Sequence, residues 1–192
     1  MPDWVARLTQ QLEPALAAID PRAGISAYHD MPYAIFRYPP EAEFELRRQV
    51  CLLKTRLETN HGKRVTVISL AECLEKAIES QVSIQRLMIA ERAVGVGGLI
   101  DTVHEILSRR SSLPEIVSGL LPTSGEPTTD IFFLIRAGAL FPFYRTSALL
   151  EQMMGFVNIP GVLFYPGVLD GAAGLKFMGI KDAEHNYRPK IF

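Results

Sequence analysis

This 192-residue chain is poor in cysteine, in tryptophan, in charge of one sign and in long hydrophobic runs, and each scarcity excludes something. Its two cysteines, Cys51 and Cys73, fall in apolar helical patterns with no CxxC spacing. That excludes a disulfide framework or a cysteine-based zinc site and fits a reducing cytoplasm. Twenty basic residues stand against 21 acidic ones, a net charge of −1. No global positive field therefore draws the chain to nucleic acid or anionic lipid, and direct nucleic-acid binding is expected to be weak or absent. The longest apolar stretches, such as Ile131 to Ile135, are too short to cross a bilayer. Asp3, Arg7, Glu13 and Asp20 interrupt the apolar positions at the N-terminus, so no secretory signal is expected. What is present is a globular composition, 48% hydrophobic and 21% charged, enough in one chain of this length for a substantial core.

Periodicity predicts an α/β order. Val5, Leu8, Leu12, Leu16 and Ile19 mark an amphipathic helix over 4–18, with Pro14 inside it, and 20–24 reads as a turn. Tyr33 to Tyr38 (YAIFRY) reads as a strand. Pro39-Pro40-Glu41 opens a long helix whose buried stripe is Leu46, Val50, Leu53 and Leu57, ended at Asn60-His61-Gly62. Arg64 to Leu70 is a second strand, and the length of the connection predicts a parallel crossover. Helices are expected over 71–80 and 83–92, then a Gly95-Val96-Gly97-Gly98 break, a third helix through Leu107 and a fourth from the Ser112-Leu113-Pro114-Glu115 capping box. IFFLIR (131–136) reads as a strand buried on both faces, followed by a helix over 147–154 and a strand over 161–165. Further strands are expected at 175–178 and 187–191, with Pro189 marking the last as an edge strand. Together these predict one domain over 1–192. It is a three-layer fold with a mostly parallel sheet, like a degenerate P-loop or Rossmann-like domain, and carries a helical insertion at about 71–121.

The chemistry that usually accompanies such a sheet is missing. There is no GxxxxGK[ST]; the Gly62-Lys63 pair precedes a strand, whereas a phosphate loop follows one. The first strand instead exits through two prolines, which remove backbone N–H donors where an anion would need them. His29, His61, His104 and His185 are scattered, with no HExxH. No serine sits in GxSxG. The acidic residues form no recognisable pair for acid–base work. No catalytic set, cofactor or metal is expected.

Residues 131–192 are the most distinctive, and Arg136 and Arg145 bracket a glycine, a proline and three aromatics. Most of their apolar neighbours read as core. The arginines either brace loops through Asp or Glu or meet a partner. Strand C-termini share one edge in a parallel sheet, where function gathers, and that edge should carry Tyr38, Glu72, Arg136 and Tyr165. Here RAGALFPFYRTSALLEQ, VLFYPGVLDG, LKFMG and YRPKIF closely resemble the C-terminal half of the BrxB family of BREX phage-defence systems. The resemblance implies a cytoplasmic, non-catalytic accessory that works by protein–protein binding. The partners it implies are an alkaline-phosphatase-like protein, an AAA-type ATPase and an adenine methyltransferase. A degenerate nucleotide sensor or a DNA-contacting subunit of the same system is the alternative. Aromatics and arginines most often anchor interfaces, which singles out Arg136, Phe143, Tyr144, Arg145, Tyr165 and Arg188 as partner-binding residues.

Overall fold

In a computed structural model the described residues are 2–26, 32–108, 113–153, 157–171, 174–179 and 189–192. The sheet is six-stranded, built from β1 (Tyr33–Tyr38), β2 (Arg64–Ser69), β3 (Asp130–Ile135), β4 (Gly161–Asp170), β5 (Gly174–Phe177) and β6 (Lys190–Ile191). The order is β2-β3-β4-β1-β6, with β5 off this path beside β4. Every pairing along the path is parallel, and only β5 runs antiparallel. The α/β class and mostly parallel sheet expected from periodicity are thus present. β1 and β2 are parallel as expected but not neighbours, because β4 and β3 lie between them. Burial explains the order. β3 and the first seven residues of β4 are buried on almost every side chain, whereas β2 alternates with exposed positions and forms one edge. β6 forms the other, directly after Pro189.

Alternation along the strands divides the core in two. On one face Ala34, Phe36, Tyr38, Ile131, Phe133, Val162 and Phe164 meet α1 (Asp3–Arg7), α2 (Glu13–Ala17), α3 (Arg22–Ile25) and α4 (Glu43–His61). On the other, Tyr33, Ile35, Phe132, Leu134, Leu163 and Tyr165 meet α5 (Leu70–Glu79), α6 (Ile84–Ser108), α7 (Leu113–Gly119) and α8 (Thr146–Met153). The segment expected as an insertion is this second helical layer, since α5 to α7 connect β2 to β3 and cover the sheet. Gly161 is required where β4 begins, because a Cβ there would collide with the Phe132 ring.

The long helix is shaped as its residues dictate. Leu46, Val50, Leu53 and Leu57 are buried, and Gly62 takes the left-handed conformation that ends it (φ 63°). Between α1 and α2 the chain runs through a π-helical turn, Leu8–Leu12, just before Pro14. Proline carries no N–H to donate, which favours a local widening of the helical ladder. Where a turn was expected at 20–24, the short helix α3 begins at Arg22 and runs to Ile25. α6 is kinked at Gly95 (φ 72°, ψ 177°), where the glycine-rich break was expected. The kinked stretch leaves Met88, Ile89, Val94 and Val96 largely exposed. No helix among the described residues is long and apolar enough to cross a membrane.

Two polar ties join distant segments. The nearly buried Lys63 ammonium donates to the carbonyls of Ala18 (2.6 Å), Ile19 (3.4 Å) and Thr128 (2.7 Å). The Gly-Lys pair is thus a helix end followed by a structural clamp. Asp130, also buried, accepts a bidentate pair from Arg64 (2.7 and 2.6 Å) and the Glu126 amide (2.7 Å). The Arg64 hydrogen bonds hold the Asp130 carboxyl below the usual carboxylate range, against the opposing effect of burial. A carboxyl depressed on folding contributes stability above its unfolded value, and that contribution fades as pH falls through the folded one. Asp130→Asn is therefore expected to cost about 1.5 kcal/mol near neutral pH and to flatten the acid side of the stability curve. Urea unfolding across the acid range measures both, and a variant with the wild-type acid loss would refute the pairing as its source.

Candidate functional site

Because the path strands are parallel, their C-terminal ends share one edge. β1 exits into Pro39 and a short 3-10 turn, Pro40–Ala42. Tyr38, wholly buried, donates its hydroxyl to Glu43 in the first turn of α4, and Glu45 follows. The helix start where a phosphate would sit is thus supplied with the chain's own carboxylates and with prolines that donate nothing.

β3 exits differently. Arg136 adopts the left-handed conformation (φ 60°), which turns the chain into a 3-10 stretch, Ala137–Leu140. Ala137 and Leu140 are buried and pin this loop to the core. The Phe141–Pro142 bond is cis. Tyr144 N–H then donates to Leu140 O (2.8 Å), and α8 starts at Thr146. The β4–β5 hairpin closes on the same loop. A Cβ on Gly138 would lie 3.5 Å from Met178 Sδ and 3.7 Å from Pro166 Cγ. Met178 N–H donates to Pro166 O (2.8 Å), and the Phe177 ring packs on Tyr165 (5.1 Å) and Phe141 (6.2 Å). The RAG, PFYR, YPG and LKFMG segments, dispersed over some forty residues of sequence, converge at one end of the sheet.

Beside them lies a groove of about 440 Å³, lined by His104, Leu107, Phe143, Tyr144, Arg145, Ala148 and Gln152. Tyr144 is half-buried and donates to Gln152 Oε1 (3.1 Å), and burial pushes its phenol above the ordinary value. His104 Nε2 lies 3.4 Å from Pro142 O. Arg145 is exposed. The groove therefore offers aromatic surface, a phenol, an amide and a guanidinium, a mixture suited to gripping a protein surface.

The residues singled out from sequence separate into groups. Phe143, Tyr144 and Arg145 line this groove together. Arg136 sits apart, with Nη1 3.4 Å from Ser69 Oγ and 3.9 Å from Glu72 Oε1, so it ties β3 to the start of α5 while keeping 40% of its side chain exposed. Tyr165 belongs to the core: it is wholly buried, and its hydroxyl reaches Leu175 O (3.5 Å). β4 runs on past Pro166 to pair with β5, so Tyr165 lies inside a strand and cannot meet a partner. Arg188 lies outside the described residues. Sequence reading missed His104 and Gln152, which reach the groove from α6 and α8. Helical periodicity assigns them only to exposed positions, and nothing local links them to Tyr144. Among the described residues no three His, Cys, Asp or Glu side chains come together as a metal site. Burial raises the Cys73 thiol, the opposite of what a nucleophile needs.

The family model described as "BREX protein BrxB" matches residues 66–191. A BREX protein BrxB from Bacillus cereus (strain H3081.97) is 27% identical over 161 residues, which cover 83% of this chain and 82% of the relative. No solved structure matches the chain. The matched span runs from within β2 through β6, and with them the loop, the hairpin and the groove, so by the larger part of its length this chain belongs to the BrxB family of BREX proteins.

Proposed function

We propose that the protein is a non-catalytic assembly component of a BREX anti-phage complex, working in the cytoplasm by holding other BREX proteins. The single observation that supports this reading most is the convergence of the family's distinctive segments at one end of the sheet, with a groove beside them. Phe143, Tyr144 and Arg145 stand together there, on a loop anchored by buried Ala137 and Leu140. A loop positioned by a rigid sheet edge is where binding residues commonly lie. Arg136 flanks this surface from the end of β3. The resemblance implies an alkaline-phosphatase-like protein, an AAA-type ATPase and a methyltransferase as partners. The near-neutral charge makes weak DNA contact the expectation for the isolated chain.

Substitution at the groove tests this. Tyr144→Ala and Arg145→Ala should each leave a folded protein and lower partner capture at least tenfold when co-expressed with the other components of its BREX locus, as truncation of an interface anchor does. Loss of the fold in both variants, or undiminished capture of every partner by both, would refute this surface as the interface.

A further inference from the structure

β2 lies at one edge of the sheet, with β3 on one side and, among the described residues, no strand on the other. In a parallel ladder alternate residues turn both N–H and C=O toward the same neighbour, so an edge strand presents every second pair outward. Arg64 N–H donates to Thr129 O (2.9 Å) on the β3 side. The backbone groups of Val65, Val67 and Ser69 therefore face the open side. Val65, Thr66, Val67 and Ile68 are all β-branched, the residue type that extended pairing favours. Such an edge is a template for another strand.

The second half of α4 closes part of it. Lys54 Nζ donates to Val65 O (2.7 Å), and Val65 N–H donates to Glu58 Oε1 (3.3 Å). The two side chains lie one helical turn apart and form an ion pair at 3.3 Å. Together they give Val65 one donor and one acceptor, which is what a residue on a neighbouring strand would give it. Their side chains are 39% and 38% exposed, and an ion pair in that setting adds little stability of its own. Its consequence lies in where it sits. A strand arriving at Val65 would have to displace or bury both charges, and charged side chains at an edge are a recurrent means of preventing pairing. Val67, one outward pair further on, has a side chain 38% exposed, and no described side chain covers its backbone as Lys54 and Glu58 cover that of Val65.

The register names the strand that is kept away. A second copy of β2, running antiparallel about a two-fold axis at Val67, would set Val67 opposite itself and Val65 opposite Ser69. All three are outward-facing, so the ladder would be in step along the edge. The Val65 donor and acceptor that it requires are those held by Glu58 and Lys54. With these occupied in both copies, the Val67 pair alone is too short a ladder to persist.

We propose that the Lys54–Glu58 pair is an edge guard, which holds β2 closed against pairing with the β2 of a second copy.

Sedimentation velocity of the full-length protein over a dilution series tests this. Lys54→Ala/Glu58→Ala should stay folded and dimerise roughly tenfold more tightly than the wild type, the worth of a recovered backbone hydrogen-bonded pair. Lys54→Met, which keeps the stem and removes the ammonium, should shift association in the same direction. Adding Val67→Pro to the double variant should restore wild-type behaviour, since proline is tolerated on an edge strand but withholds the outward N–H. Val67→Lys, which sets two ammonium groups opposite each other at the two-fold, should do the same. Folded double and Lys54→Met variants that associate no more than the wild type would overturn the proposal. So would association that survives both Val67 substitutions, or a wild-type dimer that Val67→Lys alone dissolves, because the edge would then already be open.

Discussion

Phe164→Ala is expected to lower the free energy of unfolding by about 3–5 kcal/mol, the range for truncating a fully buried aromatic. Phe164 sits on β4, between β3 and β1, and is wholly buried. Its ring meets Phe133 at 5.3 Å, edge-on, and Phe36 at 5.6 Å, so three neighbouring strands each contribute one ring to a single aromatic layer beneath α1 to α4. Truncation removes the middle ring, and the flanking strands, held by ladder hydrogen bonds, cannot close over the gap. Phe164→Leu keeps most of the volume and should cost about 1.5 kcal/mol. Urea denaturation with an unchanged slope gives both values. A loss below about 1 kcal/mol for the alanine variant would mean that this layer is not the packing centre of its face.

Lys63→Met should cost about 2–3 kcal/mol through a different mechanism. The methionine fills the space but leaves the carbonyls of Ala18, Ile19 and Thr128 without their common donor. These three belong to the end of α2 and the loop ahead of β3, and Lys63 itself leads into β2. Burial depresses the ammonium below its ordinary value, against the opposing effect of the Asp20 charge, and three carbonyl acceptors converge on its Nζ. Lys63→Arg should recover little, since a planar fork cannot take the place of a compact ammonium among three closely set carbonyls. Equal stability of wild type and Lys63→Met in thermal unfolding would sink this account.

Much of the fold was legible in the sequence because the signals were local. YAIFRY forms β1 over the six residues expected, the α4 stripe is buried at its predicted positions, and Gly62 takes the left-handed cap. The adjacency of strands was not legible, since which strands occupy the centre depends on competition among all of them for burial. Pro166 misled for a related reason. Pro-Gly after an apolar run signals an exit, yet β4 continues because its parallel ladder gives way there to an antiparallel one with β5, starting at Gly167 opposite Phe177. Gly167 permits this, as a Cβ there would collide with the Lys176 carbonyl. That continuation is what buries Tyr165.

The candidate site was legible in part. Phe143, Tyr144 and Arg145 are consecutive, so one turn was bound to carry them together. His104 and Gln152 complete the groove through packing of helices far apart in sequence.

The kink at Gly95 gives the molecule two levels of cooperativity. From Met88 to Thr102 no side chain of α6 is fully buried; Leu99 packs partly against the core, and the helix is buried again at Val103, Ile106 and Leu107. Opening that arm exposes little new apolar surface, so it proceeds as a sub-global event well below the cost of global unfolding. Its backbone amides are expected to exchange with solvent hydrogen through this shallow opening, and those of β3 and β4 only when the whole sheet comes apart.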